Sequence, residues 1–222
     1  MMTHSCSHTS EFAVAGWDIG GANIKAARLG PDGLQVLQRP LAMWLQRDEL
    51  PTVLAEMAAQ LGPAQRMGIT MTAELSDIFR TKREGVAFVL DTVRTALPEA
   101  QWLVFGLDGR FHPPERAYNE PLLVAAANWL ATAQMVARSV STCLLVDVGS
   151  TTTDTIPIAD GRVVARGRSD PERLVWGELL YTGALRTPSV LSCATCPCGA
   201  DDARWQPSSS PRPRTYTWCW AT

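Results

Sequence analysis

The chain has 222 residues, 46% of them hydrophobic and 19% charged. That is the make-up of a globular chain long enough to bury a substantial core, not of a disordered one. Its 22 acidic and 20 basic residues leave a formal charge of −2. Without a basic excess, neither a nucleic-acid partner nor polybasic docking on a membrane is expected.

The first eleven residues are polar and lack the basic-then-apolar pattern of a secretory signal. The longest apolar stretch, 122–137, is interrupted by Asn128, Thr132 and Gln134. It falls short of the roughly 20 apolar residues that cross a bilayer. A cytoplasmic protein is expected.

Residues 12–18 form an apolar run that stops at Gly20-Gly21, and 24–29 form a second run that stops at Gly30-Pro31-Asp32-Gly33. Strand, tight turn, strand is the economical reading, with a third strand starting at 34–36. Residues 50–61 carry apolar side chains at helical spacing and end at Gly62-Pro63. A buried strand is expected at 67–71, a helix at 83–97 and a strand at 102–105. A long helix, apolar on most sides, is expected at 121–138, with Pro121 in its first turn. The run 143–148 reads as a central strand covered on both faces. Another strand at 155–158 turns at Asp160-Gly161. Strands alternating with helices imply a layered α/β fold.

From Ser189 the pattern is lost, and Pro, Ser, Arg, Trp and Cys crowd together. This tail, 189–222, reads as disordered or as the product of a shifted reading frame. Cys193-x-x-Cys196-x-Cys198 has no second ligand pair at zinc-ribbon spacing, so no metal site is expected there.

Two segments carry the chemistry. The first is Asp18-Ile19-Gly20-Gly21-Ala22-Asn23-Ile24-Lys25; the second is Asp147-Val148-Gly149-Ser150-Thr151-Thr152-Thr153-Asp154. Each is an apolar strand, a terminal Asp, a glycine turn with hydroxyl or amide side chains, and a further strand. Glycine lets a backbone approach an anion, and successive N–H groups can cradle phosphate oxygens. A strand-end Asp suits Mg²⁺, which bridges phosphate oxygens. The candidate phosphate-binding residues are therefore Gly20, Gly21, Asn23, Lys25, Gly149, Ser150, Thr151 and Thr152. The candidate metal ligands are Asp18 and Asp147. One such turn alone is most often a plain hairpin; two copies about 130 residues apart are harder to dismiss. Neither a P-loop nor a dinucleotide fingerprint is present.

The paired turns resemble the phosphate loops of the actin-like ATPase superfamily, and the second is similar to that of its hydantoinase A/oxoprolinase branch. Three segments narrow the resemblance to the tetrahydromethanopterin-linked one-carbon pathway family, which includes methanofuran-assembly enzymes. They are Trp17 to Lys25, Thr70-Met71-Thr72-Ala73-Glu74-Leu75-Ser76-Asp77, and Trp176-Gly177-Glu178-Leu179-Leu180-Tyr181-Thr182-Gly183-Ala184-Leu185-Arg186-Thr187-Pro188. The resemblance covers residues 12–188. It implies an actin-like (ribonuclease H-like) fold with a subdomain at 12–140, the start of a second at 141–188, and a second domain that is incomplete. It also implies a transferase that joins an aminomethylfuran diphosphate to the phenol oxygen of γ-glutamyltyramine and releases diphosphate. An ATP-dependent hydrolase or kinase and a non-enzymatic nucleotide-binding regulator are the alternatives. Mg²⁺ is the implied cofactor, with ATP for the alternatives. The implied partner is a phosphorylated small molecule. The family pattern runs past residue 188, which this chain does not follow, so poor solubility is expected.

Glu74 and Asp77 follow a strand end, where α/β ligands bind, and either is a candidate general base. Helix capping by Ser76 or Asp77 is the competing reading. Tyr181, Arg186 and Trp176 surround Gly177 and Gly183, and Arg186 could grip a phosphate or carboxylate. Asp108 reads as a turn residue, and His4, His8 and His112 as solvated.

Overall fold

A computed structural model describes residues 12–98 and 100–184. Six strands form the first sheet: β1 (Val14–Ile19), β2 (Asn23–Gly30), β3 (Gly33–Pro40), β4 (Arg66–Met71), β5 (Gln101–Phe105) and β6 (Phe111–His112), in the order β3-β2-β1-β4-β5-β6. The glycine turns at 20–22 and 31–32 make β1–β3 an antiparallel meander; β4 and β5 join parallel to β1 through helical crossovers. The second sheet holds β7 (Cys143–Val148), β8 (Thr153–Ala159), β9 (Arg162–Val163) and β10 (Leu179–Leu180), and opens with the same antiparallel hairpin as the first. This is the layered α/β fold expected from the sequence, with the two similar hairpins that the resemblance implies.

Seven helices complete the described chain: α1 (Met43–Gln46), α2 (Leu50–Leu61), α3 (Lys82–Ala96), α4 (Pro114–Asn119), α5 (Pro121–Val124), α6 (Asn128–Ala137) and α7 (Asp170–Val175). In β1 the pleat sends Ala15, Trp17 and Ile19 inward, where Ile24, Ile69 and Val104 meet them from neighbouring strands. In α2 the expected spacing buries Leu50, Leu54, Met57 and Leu61 against that face, and α3 adds Val86, Val89, Leu90 and Val93. A smaller core gathers Phe105, Ala127, Trp129, Leu130, Ala133 and Ile156, so α6 packs with the second sheet.

Three expectations need correction. The helix expected at 121–138 is two helices. It stops at Val124, and Ala126 takes a left-handed φ of 50°, a conformation that costs an alanine about 1 kcal/mol or more. The Ala126 N–H donates instead to Glu74 Oε1 at 2.7 Å, and that bond holds the break. Strand β7 is not covered on both faces: among the described residues Leu144, Val146 and Val148 are all more than half exposed. Neither Ser76 nor Asp77 caps α3; Thr81 does, its Oγ1 accepting the Glu84 N–H at 3.2 Å. The tail, Arg186, His4, His8 and the three clustered cysteines lie outside the described residues.

The start of α3 is pressed onto the strand-end turn that carries Glu74. A Cβ on Gly85 would stand 2.7 Å from the Glu74 Cα and carbonyl oxygen. Glycine to alanine inside a helix ordinarily stabilises by up to about 1 kcal/mol. Here the backbone clash reverses the sign, and Gly85→Ala is expected to lower stability by about 1–3 kcal/mol. Urea unfolding of the two proteins measures this; an unchanged or higher midpoint contradicts the contact.

Candidate functional site

The two glycine turns open on one cavity of about 810 Å³ between the sheets. The twelve candidates for phosphate, metal and base roles all line it: Asp18, Gly20, Gly21, Asn23, Lys25, Glu74, Asp77, Asp147, Gly149, Ser150, Thr151 and Thr152. The turns are built alike. Gly20 N–H donates to the Asn23 carbonyl at 3.0 Å, and Gly149 N–H to the Thr152 carbonyl at 2.8 Å. A Cβ on Gly20 would approach the Asn23 oxygen to 2.6 Å, so this tight closure excludes a side chain. The Gly21 and Ala22 carbonyls take N–H groups from Met43 and Leu41, which fixes the first turn against α1. The amides of Gly21, Ala22 and Ser150 have no backbone carbonyl partner among the described residues. They are the free donors that an anion cradle requires.

Register makes the hairpins counterparts. Asp18 faces Lys25 across the first, and Asp147 faces Asp154 across the second. Lys25 Nζ lies 3.5 Å from Asp18, whose other oxygen is 3.3 Å from the Thr70 hydroxyl. Burial raises the Asp18 pKa against the opposing pull of Lys25, and the charge of Asp147 raises it further. The two aspartates are therefore close enough for the charge of one to act on the other. Where the first hairpin has Lys25, the second has an acid, and that acid takes its cation from elsewhere. Asp154 accepts from Arg173 Nη1 at 2.7 Å, while burial raises its pKa. Arg173 is 1% exposed, donates to the Glu178 carbonyl, and stacks 3.8 Å over the Trp129 ring.

Glu74 sits in the short turn after β4 and is 2% exposed. Its Oε1 accepts the Ala126 N–H, and Oε2 has no partner. Burial outweighs the backbone donors and Lys82 and pushes its pKa up to about 7. A carboxyl half-protonated near neutrality is matched to proton transfer. Asp77 is exposed at the cavity wall. Lys82 and Asp170 form a 2.8 Å ion pair between α3 and α7. Tyr181 lies on the same wall, its pKa pushed up to about 12 by burial and by the charges of Asp170, Asp154 and Glu74.

The sequence reading missed Asp154, Asp170, Arg173 and Lys82 as site residues. Only Asp154 had a usable signal, as the last residue of the second motif. His112, expected in solvent, is buried, with its Nε2 2.8 Å from Asp108. Among the described residues no three His, Cys, Asp or Glu side chains form a metal cluster. A divalent ion held by Asp18 and Asp147 would thus complete its shell with ligand oxygens and water, as Mg²⁺ commonly does.

The sequence profile of the hydantoinase/oxoprolinase family matches residues 66–209, and the chain belongs to that family. It is 40% identical over 176 residues to the (4-{4-[2-(gamma-L-glutamylamino)ethyl]phenoxymethyl}furan-2-yl)methanamine synthase of Methanocaldococcus jannaschii, covering 79% of this chain and 52% of that protein. The synthase of the same name from Methanococcus vannielii is 54% identical over 57 residues, 25% of each chain. The chain thus spans about half the length, or less, of the curated relatives it matches. Among solved structures, ethanolamine utilization protein EutJ from Carboxydothermus hydrogenoformans aligns with a TM-score of 0.42 at 14% identity, over 69% of this chain and 50% of that one. An Aquifex aeolicus Ppx/GppA family member aligns with a TM-score of 0.42 at 16% identity, over 69% and 49%.

Glu74 yields a pH-dependent prediction. Its folded pKa is raised above the unfolded value, so its contribution is fully present below about pH 4.5 and is lost as pH rises through about 7. Glu74→Gln keeps an oxygen for the Ala126 N–H and removes the titration. The variant is expected to match the parent at pH 4.5 and to exceed it at pH 8.5 by up to about 3 kcal/mol. Thermal melts at the two pH values measure the difference; an equal offset at both would show that Glu74 does not titrate in this range.

Proposed function

We propose that this cavity serves a transferase of one-carbon cofactor assembly. A furan-methyl diphosphate is joined to the phenol oxygen of a γ-glutamyltyramine, and diphosphate is released. The observation that carries the reading is the convergence of two Asp-tipped glycine turns on one cavity. The relatives' name, a synthase of a phenoxymethyl-furan methanamine, supports this pair of substrates.

In this reading the amides of Gly21, Ala22 and Ser150, with Asn23, Lys25, Gly149, Thr151 and Thr152 around them, cradle the diphosphate. Asp18 and Asp147 would hold Mg²⁺, which would supply charge neutralisation to the leaving group. Glu74 accepts the phenol proton through its unpartnered Oε2. The new bond joins the phenol oxygen to the furan methylene carbon, the methylene–oxygen bond of the diphosphate ester breaks, and its electron pair leaves with diphosphate. Asp77 is the weaker candidate for base, because an exposed carboxylate lacks the buried setting of Glu74. We also read the protein as cytoplasmic; among the described residues no helix is long and apolar enough to cross a membrane.

The family match favours a second reading, an ATP-dependent hydrolase of the hydantoinase type in which the same turns hold ATP phosphates. One assay separates the two. The protein is incubated with Mg²⁺ and either the two substrates or ATP alone, and diphosphate and ADP are measured. Diphosphate release that needs both substrates is expected. Glu74→Gln should slow it by about 10²-fold or more, and chelation of Mg²⁺ should abolish it. ADP formed from ATP alone, with no diphosphate from the furan ester, would select the hydrolase.

A further inference from the structure

Four cationic side chains line the cavity: Lys25, Arg80, Lys82 and Arg173. Three are committed to carboxylates on the same wall, Lys25 to Asp18, Lys82 to Asp170 and Arg173 to Asp154. Arg80 is different. Its backbone N–H donates to Glu84 at 3.0 Å, but among the described residues its guanidinium is paired with no carboxylate. Asp77, three residues earlier, also lines the cavity and is likewise unpaired. The two opposite charges face the same space and do not neutralise one another.

The local fold places this pair near the reacting end. Arg80 immediately precedes Thr81, the N-cap of α3. Gly85, in the first turn of α3, is the residue pressed against Glu74. A helix rise of 1.5 Å per residue sets Thr81 about 6 Å from Gly85, and Arg80 at most about 4 Å beyond. The backbone of the charged pair therefore stands within roughly 14 Å of Glu74. An aromatic ring with an aminoethyl arm and a short acyl chain spans such a distance.

We propose that Arg80 and Asp77 together bind the amino-acid head of the phenolic acceptor, Arg80 taking its α-carboxylate and Asp77 its α-ammonium. The inference rests on the transferase reading above and deepens it, because a γ-linked glutamyl group keeps both of those charges free. It also explains why a cavity already rich in carboxylates can admit an acceptor that carries a carboxylate. Carboxylates Asp18, Glu74, Asp77, Asp147, Asp154 and Asp170 outnumber the four cations. An isolated carboxylate is repelled by most of that wall, and Arg80 is where it is welcomed. The zwitterionic head adds no net charge and meets one partner for each end. Asp77 is thereby a specificity residue, and proton transfer stays with Glu74.

The test is calorimetric binding of three tyramine amides to the full chain, which does not depend on turnover. The γ-glutamyl amide carries both charges, the glutaryl amide only the carboxylate, and the 4-aminobutanoyl amide only the ammonium. The parent protein is expected to bind the first about tenfold more tightly than either of the others. Arg80→Ala should erase the advantage of γ-glutamyl over 4-aminobutanoyl, and Asp77→Asn its advantage over glutaryl. Equal binding of all three by the parent protein, or equal weakening of all three by either variant, overturns the assignment. A tenfold loss of Mg²⁺–diphosphate affinity in Arg80→Ala overturns it too, by placing that residue at the diphosphate end. If the binding pattern holds and the furan diphosphate still releases nothing, the reaction fails and the head-group site stands.

Discussion

The bond from the Ala126 N–H to Glu74 is the contact on which the candidate site depends. A carboxyl buried to this degree would ordinarily be drawn to solvent or to a full ion pair. It receives one backbone donor instead, and that donor comes from a residue in an unfavourable conformation. Each side supports the other. The break at Ala125–Ala127 turns the chain so that α6 packs on the second sheet, and it presents an amide to a side chain on the first. Asn128 and Trp129, at the start of α6, consequently line the same cavity as the strand ends. The second oxygen of Glu74 stays unpartnered.

The two hairpins show how one local design acquires two electrical characters. Both close through a glycine N–H and both carry an Asp at the strand end. The position facing that Asp is a lysine in the first and an acid in the second. Half-exposed Lys25 can leave Asp18 for a ligand with little loss, because an exposed pair contributes roughly 1 kcal/mol or less. Asp154 cannot be freed so cheaply. Its partner Arg173 is buried, held by the Glu178 carbonyl and stacked on Trp129, and separating such a pair strands a charge. The first turn is thus electrically adaptable, and the second is fixed.

What could be read from the sequence was local. The turns, their aspartates, the helices at 50–61 and 83–97 and the buried strand at 67–71 each follow from glycine, proline and apolar spacing within a dozen residues. All twelve candidate residues reach one cavity because each belongs to a strand end or a turn of this kind. The misses were non-local. The break in the expected helix 121–138 depends on Glu74, 52 positions away, and no breaker marks it, since Ala125, Ala126 and Ala127 are strong helix formers. Arg173 is one of eighteen arginines, and nothing in its neighbourhood distinguishes a buried partner of Asp154 from a solvated side chain. The expected burial of β7 rested on an unbroken apolar run, and the described residues cover one of its faces only.

The charge of the cavity finally constrains what can bind there. Six carboxylates face four cations, and three of those cations are already spent on three of the carboxylates. Free backbone amides contribute fixed partial charges that favour an anion, but they act at the turns alone. A diphosphate carries more charge than those amides can balance beside Asp18 and Asp147. A divalent ion would resolve the conflict, because it would turn both aspartates from repelling groups into ligands. Charge also distinguishes the glycine turns from the start of α3. Near the turns, binding an anion needs an added cation; near the start of α3, the unpaired Arg80 already supplies one.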